Sequence, residues 1–232
     1  MPNYIKTTMI VTILISIITF SINLLVGQIA TIQDEDGWTN VRNKPSKDSN
    51  SIYKIKEGEL FWYDFEYKHS DSDWVKVYVP EDKFTLEGYK GSSIQGYIHK
   101  TRLHELDSLE EYGKNNLEFK YHISEFDSTG RNIIYESNMP PRLVNENYIW
   151  GTDGYLPHNQ VDSISIQLNN VVIPIDSELY TDLFNVQLNF KIYKIKDYYV
   201  VHHMNSDGAG FYEIAWVIDE LGIQQRIVGT ML

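Results

Sequence analysis

The chain has 232 residues, a formal net charge of −12 and no cysteine. That length accommodates two small domains, and the missing cysteine excludes a disulfide scaffold, a thiolate metal site and a lipid-modified N-terminal cysteine. Acidity without a basic cluster to offset it excludes a nucleic-acid partner, because nothing is there to neutralise a phosphate backbone.

Residues 1–27 form the first unit. Lys6 supplies a basic start, and Met9 to Val26 carries no charge. A membrane anchor needs roughly 20 apolar residues, so the run has the length of either a leader or a short anchor. The small Gly27 ahead of the polar Gln28 favours a signal peptide over 1–27 cleaved at that bond, with Ala30 as a second position. The mature chain is then expected to be periplasmic or secreted, without membrane contact after cleavage.

From residue 28 the pattern is that of short strands and turns. Ile29 to Gln33 reads as a first strand, and Asp34-Glu35-Asp36-Gly37 as an acidic turn that lacks the later ligands of a calcium loop. In Gly37 to Pro45 the alternation points Val41 inward and Arg42 outward. Leu60 to Tyr67 is predicted as a strand, with Phe61, Tyr63, Phe65 and Tyr67 on one face and Leu60, Trp62 and Asp64 on the other. One small core cannot bury both faces. Trp62 therefore belongs to a second cluster, or one set of rings is exposed to a ligand. Trp74 to Val79 and Ile94 to His99 are two further strands, separated by a long loop over Pro80 to Ser93.

Residues 107–116 are charged and polar and read as a linker, with a short helix over Ser108 to Tyr112 as one option. From 117 the pattern is again antiparallel β. Phe119, Tyr121 and Ile123 alternate, as do Ile133 and Tyr135, which suggests a hairpin across Ser128-Thr129-Gly130. Asn169-Asn170 is predicted as a tight turn, Asp176 or Ser177 as a helix cap, and Asn189 to Ile195, Tyr198 to Asn205, Phe211 to Ile218 and Gln225 to Gly229 as the closing strands.

Several short motifs in the first half are similar to those of bacterial Src-homology-3-like (SH3b) domains. They are Trp38-Thr39-Asn40-Val41-Arg42 with Pro45, Gly58-Glu59, Trp74-Val75-Lys76-Val77 and Gly96-Tyr97-Ile98-His99. The resemblance implies a small SH3-like β-barrel over 28–106, often found in cell-envelope proteins. More loosely, Trp150-Gly151-Thr152-Asp153-Gly154, Asp182-Leu183-Phe184-Asn185 and Asn205-Ser206-Asp207-Gly208-Ala209-Gly210 resemble uncharacterised C-terminal β domains of secreted Bacteroidetes-like proteins. The expected fold is thus all-β, an SH3-like barrel followed by a small antiparallel β domain over 117–232.

Chemistry is sparse. Asp153-Gly154 and Asp207-Gly208 are turns that can ligate a cation, but the favoured reading is a plain turn, with Asp207-Gly208-Ala209-Gly210 a hairpin turn between alternating strands. His202 and His203 are adjacent in a strand, so they face opposite ways and cannot share a metal. The carboxylates of Glu136, Asp153, Asp162, Asp207 and Glu213 show no pairing spacing, and there is no nucleophile elbow or phosphate loop. No catalysis, cofactor or metal is implied.

The aromatics carry more information. Seventeen Tyr and five Trp exceed what a modest β core needs, and amphipathic rings on rigid strands are good contact residues. Tyr53, Tyr63, Trp74 and Tyr97 are the candidate ligand-binding residues, with Tyr148 a further exposed-contact candidate. The expected function is non-catalytic binding at the cell envelope, with a peptidoglycan peptide or an envelope protein segment as partner. The alternative is an acidic inhibitor or immunity-type protein whose charge complements a basic exported partner.

Overall fold

Period-two alternation builds the first sheet in the computed structural model, which describes residues 28–88, 91–114, 116–135, 141–152, 154–206 and 208–230. Its strands are β1 (Ile29–Ile32), β2 (Trp38–Arg42), β3 (Ser51–Lys56), β4 (Phe61–Tyr63), β5 (Trp74–Pro80), β6 (Ser93–His99) and β7 (Leu103–Glu105). They run in the spatial order β3-β2-β6-β5-β4-β1-β7. Residues from every strand, among them Ile32, Val41, Ile55, Phe61, Val77, Ile98 and Leu103, meet in one buried cluster.

This sheet is open. The SH3-like β-barrel expected over 28–106 is corrected here, because β3 and β7 remain the two outer strands and, among the described residues, no sheet closes on itself. Strand β7 is only three residues long, and the chain leaves it through a 3-10 turn at Leu106–Ser108 that buries Leu106 in a different cluster. The other outer strand, β3, exposes Ser51, Ile52, Lys54 and Lys56, a lysine-guarded edge that discourages further pairing.

A second correction concerns Leu60 to Tyr67. The strand stops at Tyr63, because Asp64 accepts the Tyr67 N–H at 3.0 Å and so caps a short helix, α1 (Phe65–His69). Both faces of the strand are nevertheless buried. Phe61 and Tyr63 enter the first core, while Leu60 and Trp62 enter a second cluster on the opposite side.

The second half contributes β8 (Leu117–Glu125), β9 (Ile133–Tyr135), β10 (Pro141–Val144), β11 (Asn147–Tyr148), β12 (Asn159–Leu168), β13 (Val171–Ile173), β14 (Lys191–Ile195), β15 (Tyr198–Asn205), β16 (Tyr212–Asp219) and β17 (Gly222–Gly229). The expected hairpin between β8 and β9 does not form. Instead β8 pairs along its full length with β12, and β9 pairs with β10. Length decides this: β8 has nine residues, and its inward Leu117, Phe119 and Tyr121 meet Val161, Ile164, Ile166 and Leu168 of β12, whereas β9 has three. The Asn169-Asn170 turn forms as expected, both residues left-handed with φ of 51° and 65°.

Strands β14 to β17 make an antiparallel sheet covered on both faces. Val200, Ala215, Val217 and Ile227 pack against Ile29, Leu60, Trp62 and Leu106 of the first half. Val201, Ile214, Trp216 and Val228 pack against the sheet formed by β8, β12 and β13. Double coverage explains why β15 and β16 read as nearly continuous apolar runs.

Polar bonds cross the same seam. Gln225 uses both ends of its amide on the backbone of Leu60, accepting from the N–H at 2.8 Å and donating to the carbonyl at 2.9 Å. The 80–93 loop crosses to β17, where the Arg226 N–H donates to Lys83 O at 3.0 Å and the Val228 N–H donates to Thr85 Oγ1 at 3.0 Å. Residues in the predicted linker are also held, with the Tyr112 N–H donating to Ile192 O at 2.7 Å. Among the described residues no helix is long and apolar enough to cross a membrane.

Arg226 ends this seam as a fully buried side chain, placing Nη2 2.6 Å from each Asp182 carboxylate oxygen and Nη1 3.0 Å from Phe84 O. Removing one partner of such a pair strands the other charge in a dry interior. We expect Asp182→Ala to cost about 3–5 kcal/mol in urea unfolding; a loss below about 1 kcal/mol, the level of a surface pair, would show that the pair is solvated.

Candidate functional site

The outer face of the first sheet is covered by the second half at β1, β4 and the Tyr78 end of β5, and open at β2, β6 and the Trp74 end of β5. On β2 the alternation that buries Thr39 and Val41 turns Trp38, Asn40 and Arg42 outward. Trp74 at the start of β5 sits opposite His99 at the end of β6, their rings 5.6 Å apart and nearly perpendicular. Together these side chains line a groove of about 450 Å³, flanked by Arg102 and Lys47 and by Asp34 and Asp36.

Local bonds fix the groove walls. Arg102 pairs with Asp34 at 2.7 Å, and the other Asp34 oxygen accepts the Asp36 N–H at 3.1 Å, which shapes the acidic turn. Arg42 donates to Ser49 O at 2.5 Å. The Lys54 ammonium lies 3.5 Å above the Trp38 ring, a cation–π contact that orients the indole. His99 Nδ1 accepts from the Thr101 N–H at 3.4 Å and lies 2.8 Å from Thr101 Oγ1, which makes the imidazole the cap of the 3-10 turn Lys100–Arg102. Rigid rings beside charges of both signs can stack on a ligand and orient a zwitterion.

The candidate residues from the sequence divide. Trp74 lines the groove. Tyr97 shares its face with His99, opposite Arg42 in the ladder, and meets Tyr67 edge-on at 5.8 Å. Tyr53 packs against the first core, and its hydroxyl donates to Glu59 at 2.7 Å; burial, then Glu59, pushes its pKa up to about 12.

Tyr63 is buried, contrary to the expectation of an exposed contact, and its hydroxyl donates to Glu105. Burial opposes ionisation of Glu105, but the Lys68 ammonium and the Tyr63 hydroxyl outweigh it and hold the carboxyl below its ordinary range. Tyr148 packs over Gly88 and edge-on against Trp150, 4.6 Å between centroids, beside a smaller seam cavity of about 180 Å³ that Trp62 and Tyr78 also line. Sequence reasoning missed Trp38, His99 and Arg102. The outward assignment of Arg42 held the signal for Trp38, since residues 38, 40 and 42 share one face.

His202 and His203 do face opposite ways, and both are buried. The Gln187 N–H donates to Asn205 Oδ1 at 2.9 Å, so that atom is an oxygen, and His203 Nδ1, also 2.9 Å away, must donate to it. His203 Nε2 then accepts from the Tyr121 hydroxyl at 2.7 Å, which in turn accepts from Trp216 Nε1 at 2.8 Å. Asp153 and Asp207, the two suggested cation turns, lie outside the described residues. Among those described, no group of three His, Asp or Glu is placed to hold a metal.

Burial lowers the pKa of His203 to about 3. The unfolded chain protonates this residue below about 6.5 while the folded chain does not, so stability is expected to fall as pH drops through that window. Ring NMR checks this directly: the His203 resonance is predicted not to titrate between about pH 8 and pH 4, and a folded-state midpoint near 6.5 would contradict it. Compared with protein-family models, with curated proteins and with solved structures, the chain matches none.

Proposed function

We propose that the chain is a non-catalytic binding module of the cell envelope that holds a short zwitterionic peptide, of the kind found in the peptidoglycan stem, across the outer groove. The observation that carries this reading is the pairing of Trp38 and Trp74 on one open sheet face with Arg42, Arg102 and Lys47 on its rim and Asp36 beside them. Indole faces supply contact area at small entropic cost, and the flanking charges match a peptide's carboxylate and amine. The 80–93 loop supports the reading by leaving this face, because its Lys83, Phe84 and Thr85 are engaged with β17.

A second reading has its own observation. Asp197, Asp219 and Glu220, with Lys194 as the one cation among the described lining residues, line a cavity of about 480 Å³ in the second half, a net-acidic lining that suits an acidic protein that caps a basic exported partner.

Retention of the mature chain on purified sacculi, compared with capture from an envelope extract at low and high salt, separates the two. Salt-tolerant retention on sacculi is expected. Trp38→Ala and Trp74→Ala should each weaken it by about tenfold or more, since truncating a central aromatic hot spot costs about 2 kcal/mol or more. Tyr53→Phe, outside the groove, should leave it unchanged. Capture of one protein that salt releases, with no sacculus binding, would replace the first reading with the second.

A further inference from the structure

Glu213 lies in the seam with 1% of its surface exposed, and both of its oxygens are engaged. One accepts or shares a proton with His202 Nε2 at 3.0 Å, and the other accepts from the backbone nitrogen of Gln28 at 2.8 Å. His202 is itself 2% exposed, and its other nitrogen is 3.9 Å from Asp107. A carboxylate this deeply buried is costly unless a charge answers it. A peptide N–H gives it a hydrogen bond and no countercharge, whereas an α-ammonium at the same position gives both.

The nitrogen concerned is the one at which the sequence places leader cleavage. The structure also separates the two cleavage positions. Cutting after Ala30 would remove Ile29 and Ala30 from β1, where they are 1% and 0% exposed and pair with Trp62, Phe61 and Glu105. Cutting after Gly27 keeps the whole of β1 and leaves the Gln28 carbonyl accepting from the Tyr63 N–H at 3.0 Å.

We propose that the Gly27–Gln28 bond is hydrolysed during export and that the α-ammonium so released is the counter-ion of Glu213. Water supplies the oxygen that completes the Gly27 carboxylate and both protons gained by the Gln28 nitrogen, one on cleavage and one from the newly formed carboxylic acid, and a peptidase acting on exported precursors carries out the step. Processing thus completes the seam, so the mature chain is more stable than the same chain with any residue ahead of Gln28. The inference is independent of what the groove binds.

Two measurements test it. The intact mass of the full chain, recovered after export, should match residues 28–232 with a free amine. A start at Thr31, a retained leader, or an amine blocked by cyclisation of Gln28 would overturn the proposal. Adding one Gly ahead of Gln28 should lower the folding equilibrium constant about tenfold, the scale of one charge-assisted hydrogen bond, and the same addition should cost nothing in Glu213→Gln. An extension that is free in the parent, or equally costly in both backgrounds, would overturn it; if Glu213→Gln does not fold, the mass and the parent comparison decide.

Discussion

Burial of one sheet on both faces is the constraint on which the rest of the molecule depends. Strands β15, β16 and β17 have no solvent face, so every side chain on them must find either an apolar neighbour or a polar partner. The partners come from distant parts of the chain. Gln225 takes the backbone of Leu60, Arg226 takes Asp182 and Phe84, Glu213 takes Gln28 and His202, and His203 takes Tyr121 and Asn205. Two halves that look separable in composition are thereby locked into one packed unit, with apolar contacts supplying the driving force and buried polar pairs fixing the register.

That lock also determines where a ligand can go. Coverage of β1 and β4 by the second half uses up Leu60 and Trp62 as packing residues, and the 80–93 loop is drawn across to β17. What remains open is the far side of the same sheet face, where Trp38, Arg42, Trp74 and His99 project. The groove is thus a consequence of the packing: its aromatic floor stands on strands, and its charged rim on the Asp34–Asp36 turn, the loop at Lys47 and the 3-10 turn Lys100–Arg102.

Much of this was legible locally and little of it globally. Alternation located nearly all the strands, put Val41 in and Arg42 out, and set His202 and His203 on opposite faces. Asn169-Asn170 announced its turn because few other residues tolerate left-handed backbone. Pairing was less accessible: the β8 partner lies beyond a whole intervening sheet, and nearest-neighbour reasoning chose β9. The barrel failed for a related reason. Motifs such as Trp38 to Arg42 and Trp74 to Val77 describe how a strand begins and alternates, whereas closure depends on whether the last strand is long enough to reach the first. Tyr63 looked like a contact residue because its parity could not reveal that both faces of β4 would be covered, although the surplus of rings around Trp62 pointed to a second cluster.

The groove reading is tested most directly by following the indole N–H signals of the ¹⁵N-labelled chain while a soluble peptidoglycan stem peptide is added. The reading predicts saturable shifts of Trp38 and Trp74, with Trp62, Trp150 and the core Trp216 unmoved. Shifts confined to Trp62 and Trp150 would place the ligand in the seam cavity, and no shift at any indole would contradict peptide binding altogether.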